Sequence, residues 1–405
     1  MCMFINTRGG CGIGADLSQM GNVEYEDYCD AAMKLIMKDS GCVGMYDYVR
    51  KHKDWGERFM DFLKGKRSLP LLYDPFFKKI FSAAEHKERL SELVSCLLGQ
   101  NVTVLEVLPN EDSQFLGVLV IMDMVVRMSD GSIANIEIQK ISYDFPAERI
   151  SCYSADLVMR QYKMITGNEE TFGEMGKVSY KNMRKVHTII LFEKSSASLI
   201  SELDEKLYYH VGKTKFNTGI KIELLQDFLL ISLDTFRKYR YSDIREGRIE
   251  ANGYDYDSTQ YRGCEVTEEM KHNRLKYLSL FVAETPQEID RLVDVFPELD
   301  EVRRDINEYL VRPKEVLNMF SEALRILDRN TAELMVDRMN DEIEKLKGVR
   351  SQLESENSEL EGKNSELEGK NSELEGKNSE LENRNSELEA EVARLKKQLE
   401  QKNEN

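Results

Sequence analysis

The chain has 405 residues, 41% hydrophobic and 32% charged, with a formal net charge of -17 at pH 7. That length allows two or three domains and a sizeable core, while no stretch approaches the roughly 18 consecutive apolar residues of a membrane span and Met1 to Asp16 lacks the pattern of a signal peptide. Seven scattered cysteines (Cys2, Cys11, Cys29, Cys42, Cys96, Cys152, Cys264) without a Cys-x-x-Cys pair argue against a disulfide framework and a zinc ribbon.

The acidity is spread along the chain. Residues 351–405 hold 15 Glu against 8 Lys or Arg, a net of -7, which leaves -10 for the rest. Nucleic-acid affinity comes mostly from neutralising phosphates, so any such binding must use a local basic patch or a partner protein. The candidate patches are Lys177, Lys181, Arg184 and Lys185 in one cluster and Arg149, Arg160 and Lys163 in another; taken alone, each cluster reads first as an ordinary solvated edge.

In chain order, residues 1–66 are expected to be a leader and a small helical extension. Arg8-Gly9-Gly10-Cys11-Gly12-Ile13-Gly14 is glycine-rich, but it follows no strand, opens no helix and lacks Lys-Ser/Thr, so it is not a phosphate loop. Tyr28, Ala32, Leu35 and Ile36, then Phe59, Phe62 and Leu63, have helical spacing. From residue 67 the pattern becomes α/β. Pro75 suits a first helical turn, Phe76, Phe77, Ile80 and Phe81 form an apolar face beside Lys78 and Lys79, and a helix over Glu85 to Leu98 is closed by Gly99. Val102 to Leu108 is strand-like.

Val118 to Met128 and Ile133 to Ile141 predict a β-hairpin around Ser129-Asp130-Gly131-Ser132. Asp123 interrupts the first run and Glu137 the second. Carboxylates inside apolar strands are costly unless paired, and two that converge are explained by a shared cation. A two-residue loop would put them on opposite faces, whereas a three-residue loop with a left-handed Gly131 sets Asp123 across from Glu137. The three-residue loop is the expectation, with Gln139 on the Glu137 face and Lys140 pointing away.

A helix follows from Pro146 to about Ile165, where Arg149 and Tyr153 are four apart, as are Asp156 and Arg160. Val186 to Phe192 is a buried-type strand, and its lone His187 is expected to be structural. Ile220 to Leu225 and Phe228 to Leu233 add strand-like runs. Residues 242–274 have linker composition, and 275–331 are helical with breaks at Pro286, Pro297 and Pro313.

From 332 to 402 a heptad repeat takes over. Leu353, Leu360, Leu367, Leu374, Leu381, Leu388 and Leu395 fall at d and Asn357, Asn364, Asn371, Asn378 and Asn385 at a, which specifies a coiled coil. Lys363, Lys370, Lys377 and Arg384 at g face Glu368, Glu375, Glu382 and Glu389 at e of the other strand only in a parallel pair, so a parallel homodimer is expected.

An Asp, a hairpin turn and Glu-x-Gln on the next strand resemble the PD-(D/E)XK nuclease superfamily, in its transposase-like, recombination-promoting branch. Asp74-Pro75-Phe76-Phe77-Lys78-Lys79-Ile80-Phe81 is similar to that branch's D-x-x-F-K-x-x-F opening, and Phe145-x-x-x-Arg149-x-x-x-Tyr153 to the helix after its last catalytic strand. The strand to Phe192 and the segment from Tyr209-His210 through Leu233 follow in the branch's order, and the resemblance covers roughly residues 70–330. It departs in having Gln139 where the superfamily has lysine and in lacking a clear proline before Asp123.

The resemblance implies a restriction-endonuclease-like mixed sheet flanked by helices in residues 67–241, and a metal-dependent endonuclease acting on DNA in a bacterial-type cytoplasm. Catalysis is assigned to Asp123, Glu137 and Gln139. Mg²⁺ or Mn²⁺ would be held by Asp123, Glu137 and the Ile138 backbone carbonyl, hard oxygen donors suited to either ion. Phosphate or DNA contacts are assigned to Arg149, Tyr153 and Lys78; for Arg149 and Tyr153 an ordinary ion pair and a core tyrosine are the alternative. Glu106 and Glu92 are both candidates for a further acid. The rival expectations are a catalytically degenerate scaffold for DNA or protein, and an RNA-directed nuclease.

Overall fold

Runs of Val, Ile and Leu that alternate across a pleated surface build the centre of the protein. The computed structural model describes residues 22–109, 114–115, 118–119, 123–140, 147–166, 180–196, 200, 207–220, 222–239, 241–245 and 266–403. The glycine-rich leader, Pro146, Lys177 and most of the 242–274 stretch lie outside them. Strands β1 (Val104–Leu108), β4 (Met124–Met128), β5 (Ile133–Gln139), β6 (Val186–Phe192), β7 (Tyr209–Lys213) and β8 (Gln226–Ser232) form one mixed sheet in the order β1-β4-β5-β6-β8-β7. Two short strands, β2 (Gln114–Phe115) and β3 (Val118–Leu119), pair separately. β5, β6 and β8 run parallel, and the remaining pairings are antiparallel.

β5 and β6 are buried along their whole length, as strands covered on both faces must be. Helix α6 (Ala147–Thr166) covers one face, where Tyr153 and Leu157 pack with Val125, Ile133 and Val186. Helices α1 (Asn22–Met37), α2 (Ser40–Lys51) and α3 (Lys53–Leu63) precede α4 (Asp74–Ile80) and α5 (Lys87–Leu98). After the sheet come α7 (Glu268–Val282), α8 (Pro286–Val295), α9 (Leu299–Glu308) and α10 (Pro313–Asn403). An aromatic cluster ties the first helices to the last: the Phe320 ring meets Phe76 at 5.1 Å, Phe59 at 5.4 Å and Trp55 at 5.9 Å, all edge-on.

The hairpin forms with the three-residue loop. Met124 pairs with Ile136 and Arg127 with Ile133, the Met128 N–H bonds the Ser132 carbonyl at 2.9 Å, and Gly131 is left-handed at φ 85°. The same register carried one residue further sets Asp123 opposite Glu137.

Three elements differ from expectation. Of the run Ile220 to Leu225, the described residues form no strand; Ile220 and Ile222 are more than half exposed, and the outer strand beside β8 is instead Tyr209–Lys213. The first described pairing residue of the hairpin is Met124, because Asp123 sits in a bend. Helix α7 begins at Glu268, inside the stretch assigned to the linker, where the Thr267 hydroxyl caps the Met270 N–H at 3.2 Å and Glu268 and Glu269 complement the helix dipole.

The chain divides into two compact units at Ile326/Leu327, within α10. In the first, Val316, Leu317, Phe320 and Leu324 of α10 are buried. In the second, the heptad leucines from Leu353 to Leu395 are 47–62% exposed. Lys363, Lys370 and Lys377 each pair with the glutamate four residues earlier at 2.6 Å. No described helix is long and apolar enough to cross a membrane.

Candidate active site

β5 pairs antiparallel with β4 on one side and parallel with β6 on the other, and its carboxyl end runs past its last β4 partner at Ile136, which leaves a gap beside Glu137 and Ile138. Glu137 and Asp123 meet there. The Asp123 N–H donates to Glu137 Oε2 at 3.2 Å, and the Ile138 N–H donates to Asp123 Oδ2 at 2.7 Å. The Asp123 carboxylate therefore lies in the gap between the strand ends. A residue's N–H and C=O leave a strand on the same side, so the Ile138 carbonyl is directed toward Asp123 as well. The Gln139 carbonyl faces β6 instead and accepts the Glu193 N–H at 2.8 Å.

Helix α6 fixes Glu137 from above. The Tyr153 hydroxyl donates to Glu137 Oε1 at 3.0 Å and accepts from Arg149 Nε at 2.7 Å, with the Tyr153 side chain only 2% exposed. The i, i+4 pairing expected of Arg149 and Tyr153 is present, and it serves the carboxylate: Tyr153 is a buried bridge between Arg149 and Glu137. Gln161, two turns on, donates to the Gly131 carbonyl at 2.7 Å, so one helix holds both ends of the hairpin.

The electrostatics follow from burial. Glu137 is 6% exposed, and burial followed by the adjacent Asp123 charge pushes its carboxyl from 4.5 up to about 8. Burial, then Asp74, raises Asp123 to about 6, against the opposing pull of the Ile138 N–H, Lys140 and Lys78. Two carboxylates whose ionised forms are both disfavoured make a site that gains from a cation.

Two residues were missed or misplaced by sequence reasoning. Asp74, at the start of α4, is the acid that acts on Asp123; it stood in the quoted D-x-x-F-K motif and was not given a role. Lys78 lies one turn on and bonds Asp74 at 2.8 Å. Lys140 does lie on the face opposite Glu137 but is not turned away from the acids. Its ammonium rests 2.9 Å from the Tyr73 ring centroid, and burial lowers it to about 7 while Asp123, Glu193 and Asp74 pull the other way. Gln139, 8% exposed, shares the Glu137 side of the strand.

The other two acids belong elsewhere. Glu106 pairs with Arg127 at 2.6 Å on an exposed edge, and Glu92 pairs with Lys276 of α7. Arg160 is 1% exposed and bonds Asp156 at 2.7 Å, and Lys185 bonds Asp227 at 3.3 Å, so neither supplies a free basic surface. His187 is buried near Asp227, and burial lowers its pKa to about 4.

Among the described residues, the three-side-chain group with donor atoms within 4.8 Å of one another is His86, Glu301 and Asp305. Arg89 already pairs with Glu301 at 3.3 Å and Asp305 at 2.7 Å, so a guanidinium meets that cluster's need for positive charge. The hairpin offers two side-chain carboxylates and a backbone carbonyl, an all-oxygen set that fits a hard divalent cation.

Residues 71–243 match the family described as PD-(D/E)XK nuclease family transposase; the match takes in α4 through β8 and ends before α7. No curated protein and no solved structure matches the chain significantly. The part of the chain that sets Asp123 beside Glu137 on a mixed sheet is thus the part that matches the PD-(D/E)XK nuclease family.

Proposed function

We propose that this domain is a metal-dependent endonuclease that hydrolyses DNA phosphodiesters at the Asp123–Glu137 site and works as a homodimer joined by the C-terminal heptads. The observation that carries the reading is the pair of acids, Glu137 buried and Asp123 half-buried, brought together across two strand ends by the bonds Asp123 N–H to Glu137 and Ile138 N–H to Asp123. Asp123, Glu137 and the Ile138 carbonyl would hold Mg²⁺ or Mn²⁺, which supplies activation of water and neutralises charge building on the phosphate. The chain's own groups do the remaining work. Tyr153 orients Glu137, and Arg149 orients Tyr153. Gln139 orients the attacking water by hydrogen bonding, in place of the lysine usual in the superfamily. Lys140 offsets the charge of Asp123 and Asp74 from the other side of the strand.

Cleavage of supercoiled plasmid with Mg²⁺, Mn²⁺ or EDTA tests the proposal. Metal-dependent nicking or linearisation is expected from the wild type and not from Asp123→Ala or Glu137→Ala. Folded protein that cuts neither plasmid nor RNA with any of these metals would sink it, and a thermal midpoint indifferent to Mg²⁺ would then favour a scaffold.

A further inference from the structure

Tyr180 opens a single helical turn, Tyr180–Asn182, ahead of β6. It is 74% exposed, more than any other large hydrophobic side chain among the described residues. Its ring lies stacked on Tyr162 of α6, with centroids 6.0 Å apart and planes 16° from parallel. The segment is anchored: the Arg184 N–H donates to Gln161 Oε1 at 2.8 Å, and the same amide holds the hairpin turn at Gly131. An aromatic face is thus presented to solvent on a fixed support.

Among the described residues, the charged side chains next to the ring pair in sequence are cations in an acidic protein: Lys163, Lys181 and Arg184, all exposed. The exposed stripe of α6 beyond Glu148 runs through Ser151, Cys152, Ala155, Met159 and Lys163 and carries no acid; the helix's remaining acid, Asp156, is buried under Arg160. A rigid aromatic ring flanked by cations, continued by an acid-free track, suits a polyanion that also offers flat apolar faces. Single-stranded nucleic acid has that chemistry, because each unpaired base stacks and each phosphate is charged.

We infer that the Tyr180–Tyr162 stack, framed by Lys163, Lys181 and Arg184, is a platform for an unpaired base of a single-stranded nucleic acid whose backbone follows the outer stripe of α6. Only its link to cleavage rests on the nuclease reading. From Tyr153 at the acids to Tyr162 is nine residues, roughly 13 Å along the helix at ~1.5 Å per residue. The ring pair and the acids thus lie toward opposite ends of one helix. Flaps, bulges and frayed ends are the substrates this favours.

Binding is read by fluorescence anisotropy of labelled oligonucleotides with the full-length chain in EDTA, so that no cleavage is required. Single-stranded DNA, the same sequence as RNA, and duplex DNA are compared for wild type, Tyr180→Ala, Tyr180→Phe and Arg184→Glu. Tyr180→Ala is expected to weaken single-strand binding roughly 5- to 100-fold while Tyr180→Phe retains it, because stacking needs the ring and not the hydroxyl. Arg184→Glu should weaken binding and flatten its salt dependence. In Tyr180→Trp, added single strand should quench the new indole. Equal affinity of wild type and Tyr180→Ala, equal losses on duplex and single strand, or no single-strand binding by wild type would each overturn the inference. The DNA and RNA arms identify the strand. Ring-dependent binding without plasmid cleavage would leave the platform standing and the nuclease reading fallen; plasmid cleavage with binding indifferent to Tyr180 would do the reverse.

Discussion

Glu137 is held where its charge costs the fold stability. Its carboxyl titrates at about 8 in the folded protein against an ordinary 4.5, so the folded state binds a proton that the unfolded chain has released across that window. Stability without metal therefore falls as pH rises from about 4.5 to about 8. Glu137→Gln removes the titration and keeps the shape. The variant should have a higher metal-free thermal midpoint than wild type at pH 8, with the gap closing toward pH 4.5; a midpoint below wild type at pH 8 would contradict the burial penalty. The same window governs metal. Mg²⁺ or Mn²⁺ must displace protons from Asp123 and Glu137, so the stabilisation it gives should be larger at pH 8 than at pH 6 and absent in Asp123→Ala. At about 100 times its dissociation constant a cation adds ~2.7 kcal/mol, well within reach of calorimetry.

At the scale of elements the hairpin sets the register, and its turn does so through one backbone conformation. Gly131 at φ 85° is left-handed, and a Cβ there would also meet Arg184 Cγ at 3.2 Å. Gly131→Ala should cost about 1–2 kcal/mol in chemical denaturation, and a neutral substitution would mean that the turn does not fix the pairing. The register was legible from parity alone, since the side of a strand on which a residue lies depends only on the loop length. The start of α7 was not. Arg274 and Lys276 are 1% and 3% exposed and interrupt the apolar stripe; each is satisfied by a distant group, the Cys96 carbonyl at 2.9 Å for Arg274 and Glu92 for Lys276. Local pattern cannot anticipate a partner about 180 residues away.

The second compact unit carries the argument at the scale of the whole molecule. Its d-position leucines are about half exposed on the single helix, an apolar stripe that a second copy in parallel would cover. The g-position lysines pair within their own helix at 2.6 Å and would exchange those partners for glutamates at e across the dimer. Three identical Gly-Lys-Asn-Ser-Glu-Leu-Glu units begin at Gly362, Gly369 and Gly376. Each outer glycine costs roughly 1 kcal/mol relative to alanine, so in the proposed dimer the middle would be weak and the apolar ends would hold it. Deleting residues 362–368 keeps the heptad phase, and sedimentation equilibrium should still show a dimer; a monomer after that deletion would show that the repeat number itself is required.

Periodicity, parity and motif order were enough to place the hairpin, Asp123 opposite Glu137, the buried strand to Phe192 and the heptads, because each depends on neighbours a few residues away or on a repeat. Tertiary packing decided the rest. The charge of Asp74 in α4 that acts on Asp123, the Tyr153 bridge from Arg149 to Glu137 and the packing of the Lys140 ammonium on the Tyr73 ring each join elements apart in the chain. Packing likewise removed Glu106 and Glu92 from the site by giving each a cation of its own. A side chain's spacing says which face it occupies, and only the fold says what stands opposite that face.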